Sequence, residues 1–215
     1  MRITEDIYRV DGVRGANAYL IVAPSGLAIV DTGMPGNGRR IVGFLGTLGF
    51  EPSDLRRILL THSDIDHVGS VAELKTLTNA SVAIHSDDAP VLAGHATQSK
   101  GHGLLQIVFK LLAPFVNTKP VEPDTLLEDG DTVAGFHVLH VPGHTLGSIA
   151  LWREDGVAFV GDALRSDAHG NVLPPAPAVT LDLAQAMASA NEIESRHFTT
   201  ILTGHGAPAL AGSAD

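Results

Sequence analysis

The sequence predicts an α/β fold in a single domain, with two β-sheets and helices on the outside. Apolar segments of strand length come in runs, and segments with helical spacing separate the later ones. No linker divides the 215 residues, so we expect one domain over 1–215. The apolar fraction is 44% and the aromatic fraction only 5%, which predicts a core of Leu, Val, Ile and Ala.

The predicted elements begin with a hairpin, because apolar runs at 18–22 and 26–31 are joined by a Pro-Ser-Gly turn. The later predicted strands are short apolar runs that end at small or polar residues, namely 57–61, 81–85, 132–141, 148–152, 157–160 and 199–203. The predicted helices have apolar residues at helical spacing, namely 39–48, 68–77, a turn at 87–92, 104–115 and 181–195. Segment 94–103 is predicted to be a loop, and 104–115 to be either a core helix or a lid.

Composition and charge narrow the function classes. The chain has no cysteine, which excludes disulfides, thiol nucleophiles and thiolate metal ligands. The formal net charge is −10 without a basic patch, which argues against nucleic-acid binding. No apolar run approaches the roughly 18 residues of a membrane span, and residues 1–6 lack an apolar leader. We therefore expect a cytoplasmic protein with a small-molecule substrate and no membrane partner; the oligomeric state stays open.

The most informative segment places His62, Asp64, Asp66 and His67 within six residues, directly after an apolar run. Imidazole and carboxylate groups bind transition metals, and burying such groups without partners is unfavourable. Since cysteine is absent, any metal must be held by nitrogen and oxygen. The segment therefore predicts a metal site at the end of this strand.

Four further polar residues follow apolar runs in the same way. His144 lies in Val-Pro-Gly-His-Thr, Asp162 in Phe-Val-Gly-Asp, His205 in Thr-Gly-His-Gly, and Asp31 in Ile-Val-Asp-Thr-Gly. Glycine permits the backbone bends that aim such side chains at a common point. The pattern predicts that these residues join the same site.

These motifs give the chain a clear resemblance to the metallo-β-lactamase superfamily. That family has a His-x-His-x-Asp-His motif, followed by Gly-His, Gly-Asp and a late Gly-His. Five motifs occur here in the same order, and the resemblance extends over 18–206. It implies a four-layer α/β/β/α sandwich with two metal ions at one edge of the sheets. By the same resemblance, the implied metal ligands are His62, Asp64, Asp66, His67, His144, Asp162 and His205.

At the second metal site, the resemblance implies Asp66, His67 and His205 as ligands. Asp162 would bridge the two ions, and Asp31 would hydrogen-bond a ligand and hold its orientation. Asp66 would also act in catalysis, because it would orient the attacking nucleophile and carry its proton.

At the first metal site, His62 and His144 match the family, but Asp64 stands where the family has its second histidine. Three interpretations of Asp64 are open. It binds the metal directly, or it acts through a water molecule. In the third, the first site binds no metal, and the protein is mononuclear or non-catalytic. The harder, more negative ligand set improves the odds of iron or manganese against zinc. Flavodiiron proteins share the fold and carry an acidic residue at this position. We expect two divalent metal ions, with zinc first and iron or manganese as alternatives.

The predicted function is a metal-dependent hydrolase in which a metal-bound hydroxide attacks a small ester, lactone, thioester or related acyl substrate. A true β-lactamase is disfavoured by Asp64. Glyoxalase II is disfavoured because that enzyme adds a C-terminal domain, whereas about ten residues follow His205 here. A lactonase is less favoured, because Tyr8 and Tyr19 both lie near the N-terminus, away from the region where similar lactonases have their active-site tyrosine. The alternatives are a di-iron redox protein and a non-catalytic metal-binding protein.

The remaining histidines match none of the family's ligand motifs. His140 is close in sequence to His144 and is a candidate for contacting a ligand. His95 and His102 belong to the predicted loop, where they are either solvated or within reach of a substrate. The others are expected in the core or on the surface; they are His85, His137, His169 and His197.

Overall fold

Six strands form the first sheet. They are β1 (Ile7–Arg9), β2 (Tyr19–Ala23), β3 (Gly26–Val30), β4 (Leu55–Leu59), β5 (Ser81–His85) and β6 (Thr125–Leu127). They pair in chain order, antiparallel from β1 to β3 and parallel from β3 to β6. The computed structural model describes residues 1–97 and 119–210. Because β3, β4 and β5 run parallel, the residues after these strands emerge at one edge of the sheet.

Six more strands form the second sheet. They are β7 (Thr132–Val133), β8 (Phe136–His140), β9 (Ile149–Trp152), β10 (Val157–Gly161), β13 (Thr200–Thr203) and β14 (Ala209–Leu210). Their order is β14-β13-β10-β9-β8-β7, and only β10 and β13 are parallel neighbours. A small hairpin of β11 (Arg165–Ser166) and β12 (Val172–Leu173) lies between β10 and β13 in the chain.

Helices cover the outer faces of the two sheets. They are α1 (Gly38–Thr47), α2 (Ile65–Val68), α3 (Val71–Thr78), α4 (Ala89–Leu92) and α5 (Leu183–Ser195). The side chain of Asp182 caps α5 by accepting a hydrogen bond from the Gln185 backbone N–H. In the described part of the chain, no helix is long and apolar enough to cross a membrane.

The alternation of side chains along β3 shows how the layers are built. Leu27 and Ile29 pack with α1 and α3, whereas Ala28 and Val30 pack between the sheets. The outer face of the second sheet packs on α5, where Ile193 belongs to the same apolar cluster as the β10 residues. The result is a helix, sheet, sheet, helix sandwich, which confirms the predicted fold.

Most predicted strands and helices in the described residues are confirmed to within two residues at each end. The prediction of one strand over 132–141 is wrong, because this segment forms the hairpin β7–β8. Ala134 and Gly135 have φ of +51° and +84°, and this left-handed pair reverses the chain.

The other differences concern short elements. The predicted strand 57–61 is β4, which begins and ends two residues earlier. The predicted helix 68–77 is α3, which begins three residues later and ends one residue later, and the short helix α2 before it was not predicted. Five strands of two or three residues were missed, because so short a segment shows no periodicity; they are β1, β6, β11, β12 and β14. The predicted loop 94–103 is described only to residue 97, and the predicted helix 104–115 and His102 lie outside the described residues.

Candidate metal centre

The residues that follow β3, β4, β10 and β13 meet at one edge of the sandwich. The parallel pairs β3–β4 and β10–β13 place the ends of these strands side by side in each sheet. Three overlapping groups of side chains there place potential ligand atoms within 4.8 Å of one another. Together the groups contain every predicted ligand, namely His62, Asp64, Asp66, His67, His144, Asp162 and His205.

The first group is His62, Asp64 and His144. Asp64 Oδ2 lies 2.9 Å from His144 Nε2 and 3.5 Å from His62 Nε2. Both imidazoles are buried, and their rings meet edge to face with centroids 4.7 Å apart. Although aspartate is shorter than histidine, this carboxylate reaches both imidazoles, a geometry that favours direct ligation among the three interpretations of Asp64.

The second group is Asp66, His67 and His205. Asp66 and His67 both lie in the short helix α2, and His205 follows β13. Asp66 Oδ2 is 3.2 Å from His205 Nε2. His67 is fully buried, whereas the side chains of Asp66 and His205 are 31% and 39% exposed, so this side of the centre is open to solvent.

Asp162 lies between the two groups. Its Oδ1 is 3.2 Å from His67 Nε2, and its Oδ2 is 3.5 Å from His205 Nε2 and 3.7 Å from His144 Nε2. The position is determined by the end of β10, where Gly161 adopts φ of +50° as the chain leaves the sheet. One carboxylate thus faces both groups, as a bridging ligand would.

Asp31 determines which nitrogen of His67 faces the centre. It is buried in a left-handed conformation with φ of +58° and accepts a hydrogen bond from His67 Nδ1 at 2.7 Å. The His67 Nε2 atom therefore points to the centre. This is the carboxylate–histidine arrangement that orients metal ligands.

The same carboxylate acts on His62 through Thr61. The Thr61 hydroxyl donates its proton to Asp31 Oδ2 at 2.8 Å and lies 3.0 Å from His62 Nδ1. A hydroxyl has one proton, so its oxygen accepts the second bond and His62 Nδ1 is the donor. The lone pair of His62 is therefore on Nε2, which faces the centre; the sequence offered no indication of this role for Thr61.

The charges of the centre favour a cation. Burial alone would lower the pKa of His67, but Asp31 and Asp162 outweigh it and raise that pKa well above its usual value. The hydrogen bonds to Asp162 and Asp66 raise the pKa of His205 to about 9. Burial tends to raise the pKa of Asp162, yet His67 and His205 hold it well below its usual value. In the metal-free protein, protons on imidazoles thus supply the positive charge that metal ions would bring.

The arrangement of polar atoms fits this interpretation. His62 Nε2, His67 Nε2 and Asp162 Oδ1 are buried and have no partner in hydrogen-bond geometry within the described residues. Such atoms are unfavourable in a protein interior unless another group satisfies them. Metal ions bound by imidazole nitrogen and carboxylate oxygen would satisfy all three.

Gly204 lets the backbone approach the centre closely. A Cβ added there would lie 2.6 Å from His67 Cε1 and closer still to Asp162 Oδ1. The Gly-His motif therefore leaves room for ligands as well as supplying one.

A buried carboxylate that the sequence did not reveal connects two loops that carry candidate ligands. Asp88 Oδ2 accepts a hydrogen bond from the Ser63 backbone N–H at 2.7 Å, and Oδ1 accepts one from the Gly147 N–H at 2.8 Å. Asp88 therefore links the loop of Asp64 to the loop of His144. An aspartate after a strand has many ordinary roles, so no sequence pattern pointed to it.

The family comparison agrees with this geometry. The sequence profile of the metallo-β-lactamase superfamily matches residues 11–205. The chain belongs to this superfamily. The matched range contains all seven predicted ligands and both sheets apart from β1 and β14.

Curated members of the superfamily include hydrolases. The probable metallo-hydrolase YflN of Bacillus subtilis (strain 168) is 30% identical over 91% of this chain and 82% of its own length. A hydroxyacylglutathione hydrolase of Pseudomonas savastanoi pv. phaseolicola is 34% identical over 75% of this chain and 51% of its own length. The chain thus spans about half of that enzyme, and the comparisons support a metallo-hydrolase.

Solved structures show the same fold. TTHA1623, crystallised in a di-iron-bound form, matches with a TM-score of 0.70 and 27% identity over 92% of this chain and 91% of that one. The metallo-β-lactamase family protein TTHA1429 from Thermus thermophilus matches with a TM-score of 0.74 and 24% identity, over 98% and 76%.

Proposed function

We propose that this protein is a binuclear metallo-hydrolase that cleaves a small acyl substrate. The observation that carries the proposal is the pair of ligand groups on either side of Asp162. The bonds from Asp31, directly and through Thr61, orient His67 and His62 so that Nε2 faces the centre.

Each of the seven residues has a role in this proposal. His62, Asp64 and His144 would hold one ion, Asp66, His67 and His205 would hold the other, and Asp162 would contribute to both sites. When bound, two divalent cations activate water at neutral pH and polarise the substrate carbonyl.

Asp66 contributes to the chemistry as well as to binding. Its carboxylate is on the open side of the centre, where it orients the attacking water and accepts a proton from it. Burial tends to raise the pKa of Asp66, but the bond to His205 and the charge of His67 leave the pKa lowered. The carboxylate is therefore ionised near neutral pH.

A thioester is the substrate class that the comparisons favour among esters, lactones and thioesters. Hydroxyacylglutathiones are thioesters, and a hydrolase of that name is similar to 75% of this chain. Because the chain spans only about half of that enzyme, the thiol part of the substrate is left open.

The proposal is tested first by counting metals in the protein as isolated, beside Asp64→His and the exposed control Asp11→Asn. We expect two metal ions per chain in all three proteins. One ion or none in the native protein, rising to two in Asp64→His, would show that Asp64 has disabled the first site.

Activity is then measured on S-acylglutathione, an acyl N-acetylcysteamine thioester, an aryl ester and a lactone. Hydrolysis should be lost in His67→Ala and Asp162→Asn, with circular dichroism unchanged. Retained hydrolysis in both variants would contradict the proposal.

A di-iron redox protein is the second candidate, and the di-iron-bound form of TTHA1623 is the observation that favours it. Iron that changes its absorption on reduction, together with no hydrolysis of any of the four substrates, would favour this function. Zinc in the protein as isolated would exclude it.

A further inference from the structure

The loop that carries His205 is held by hydrogen bonds along its main chain. His205 follows β13 and stands between Gly204 and Gly206, and Gly206 adopts φ of +101°. Glycine leaves the backbone free to adopt many conformations, so other contacts must fix this one. Each carbonyl group of 203–207 accepts a hydrogen bond; the donors are Asn17 and Tyr19 to Thr203, Asn17 to Gly204, Ser166 and Thr203 to His205, Asn17 to Gly206, and Ser166 to Ala207.

Asn17, in the loop between β1 and β2, contacts this loop through its backbone and its side chain. Its backbone N–H donates to the Gly204 carbonyl at 2.7 Å. Its side-chain Nδ2 donates to the Thr203 and Gly206 carbonyls, each at 3.0 Å. Carbonyl oxygens only accept hydrogen bonds, so both protons of the amide nitrogen are used and the orientation of the amide is determined.

The residue before Asn17 is bound to the other exposed ligand of the second group. The Ala16 N–H donates to the Asp66 backbone carbonyl at 3.1 Å. Asp66 lies in α2 and His205 follows β13, yet their side chains approach to 3.2 Å. Two adjacent residues of one loop therefore contact the main chains of both segments that meet at this side of the centre.

We infer that Asn17 is a positioning residue of the second metal site, which holds His205 opposite Asp66. The inference rests on the proposed binuclear function. Asn17 acts through the backbone of the His205 loop, because its amide binds the carbonyl groups on either side of His205. Groups that orient metal ligands in this indirect way typically change metal affinity by about 10- to 100-fold when they are removed.

Ser166 supports the same loop from the opposite side. It is buried, its N–H donates to the His205 carbonyl at 3.1 Å, and its hydroxyl donates to the Ala207 carbonyl. A Cβ at Gly206 would lie only 2.0 Å from the Ser166 carbonyl oxygen, so the loop cannot move further towards Ser166. Loss of the Asn17 amide therefore frees the loop on the other side, where water can bind the Gly206 carbonyl and His205 can move away from Asp66.

The test is the zinc affinity of Asn17→Asp, measured by competition with a chromophoric chelator. The substitution keeps the shape of the side chain but places oxygen where the amide donates its protons. One of the two zinc ions should bind about 10- to 100-fold more weakly, and the other should bind as in the native chain. Asn191→Asp is the matched control, because it makes the same change at an exposed position of α5 and should leave both affinities unchanged.

A double-mutant cycle separates positioning of His205 from a general effect on the fold. In a His205→Ala background, Asn17→Asp should cause no further loss of zinc affinity, because its effect is transmitted by His205. Asn17→Ala adds no charge and gives the same test if Asn17→Asp fails to fold. Equal zinc affinity in the native chain and the Asn17 variants, or equal losses in both backgrounds, would overturn the inference.

Zinc binding is measured without any substrate, so the result does not depend on the hydrolase activity. A native chain that binds fewer than two zinc ions would overturn the binuclear function, and this inference with it. Two zinc ions in the native chain with unchanged affinities in Asn17→Asp would overturn this inference alone.

Discussion

At the scale of single residues, the centre depends on side chains that orient the ligands. Asp31 accepts hydrogen bonds from Thr61 and His67, and Thr61 in turn accepts one from His62. One buried carboxylate therefore determines the tautomer of two imidazoles. Asp31 was predicted from its place after β3, whereas the part played by Thr61 became visible only in the folded chain.

Thr61→Val removes the link between Asp31 and His62 while keeping the shape of the side chain. We expect zinc affinity to fall by about 10- to 100-fold, because His62 loses the partner that holds its proton on Nδ1. Competition with a chromophoric chelator measures this affinity. The control is Thr76→Val, since the exposed Thr76 hydroxyl donates to the Ala72 carbonyl of its own helix. Unchanged affinity in Thr61→Val would contradict the tautomer argument.

The raised pKa of His205 predicts a pH dependence of the metal-free protein. The pKa is about 9 in the folded chain, against 6.5 for an ordinary histidine. Protonated His205 stabilises the fold fully below pH 6.5, and this contribution is lost as the pH rises through about 9. Urea unfolding of the native chain and His205→Gln should therefore show a stability difference at pH 6 that shrinks by about pH 9.5. A difference that stays constant over this range would show that His205 titrates normally.

At the scale of elements, the ends of strands and the turns after them position the centre. Gly204 follows β13, and its missing side chain leaves room for His67 and Asp162. Asp88 connects the turn after β4 with the turn before β9. Motifs in the sequence indicated which strand ends matter, but not how two loops from different sheets are connected.

Gly204→Ala tests the close approach at β13. The added Cβ would push against His67 and Asp162, so we expect the number of bound metals to fall. Gly46→Ala is the matched control, because in the described part of the chain no atom outside its own helix lies within 4 Å of a Cβ at this position. It should keep the metals and raise the free energy of unfolding by about 0.5–1 kcal/mol. Full metal content in Gly204→Ala would show that the backbone can yield at this point.

Asp88→Ala tests the connection between the two loops. It leaves the backbone N–H groups of Ser63 and Gly147 without their acceptor, at a cost of about 1–3 kcal/mol for each buried group. Urea denaturation of the metal-free protein gives the change in the free energy of unfolding. Asp87→Ala removes the neighbouring exposed carboxylate and should change it by less than about 0.5 kcal/mol; similar losses in the two variants would refute the proposed link.

At the scale of the whole molecule, the space between the two sheets holds the sandwich together. Phe159 lies there with Tyr19 and Phe136, at ring-centroid distances of 5.5 and 5.2 Å. All three side chains are buried, so these aromatic residues help to fill the space between the sheets although the chain has few of them. The single domain over 1–215 and the cytoplasmic location both stay predictions.

Phe159→Ala should lower the free energy of unfolding by about 3–5 kcal/mol, because a cavity would open between the sheets. Chemical denaturation of the metal-free chain measures the loss. Leu126→Ala is the control, since Leu126 is 54% exposed and its truncation opens no cavity. A loss below about 1 kcal/mol in Phe159→Ala would mean that the interior collapses to fill the space.

The superfamily, the layer architecture and the identity of the candidate ligands could all be predicted without the fold. This was possible because His62, Asp66, His67, His144, Asp162 and His205 each stand in a short motif at the end of an apolar run. The sequence left three interpretations of Asp64 open, because the reach of a short carboxylate depends on the loop that carries it. The contacts of Thr61, Asp88 and Asn17 also required the fold, since each joins segments far apart in the chain.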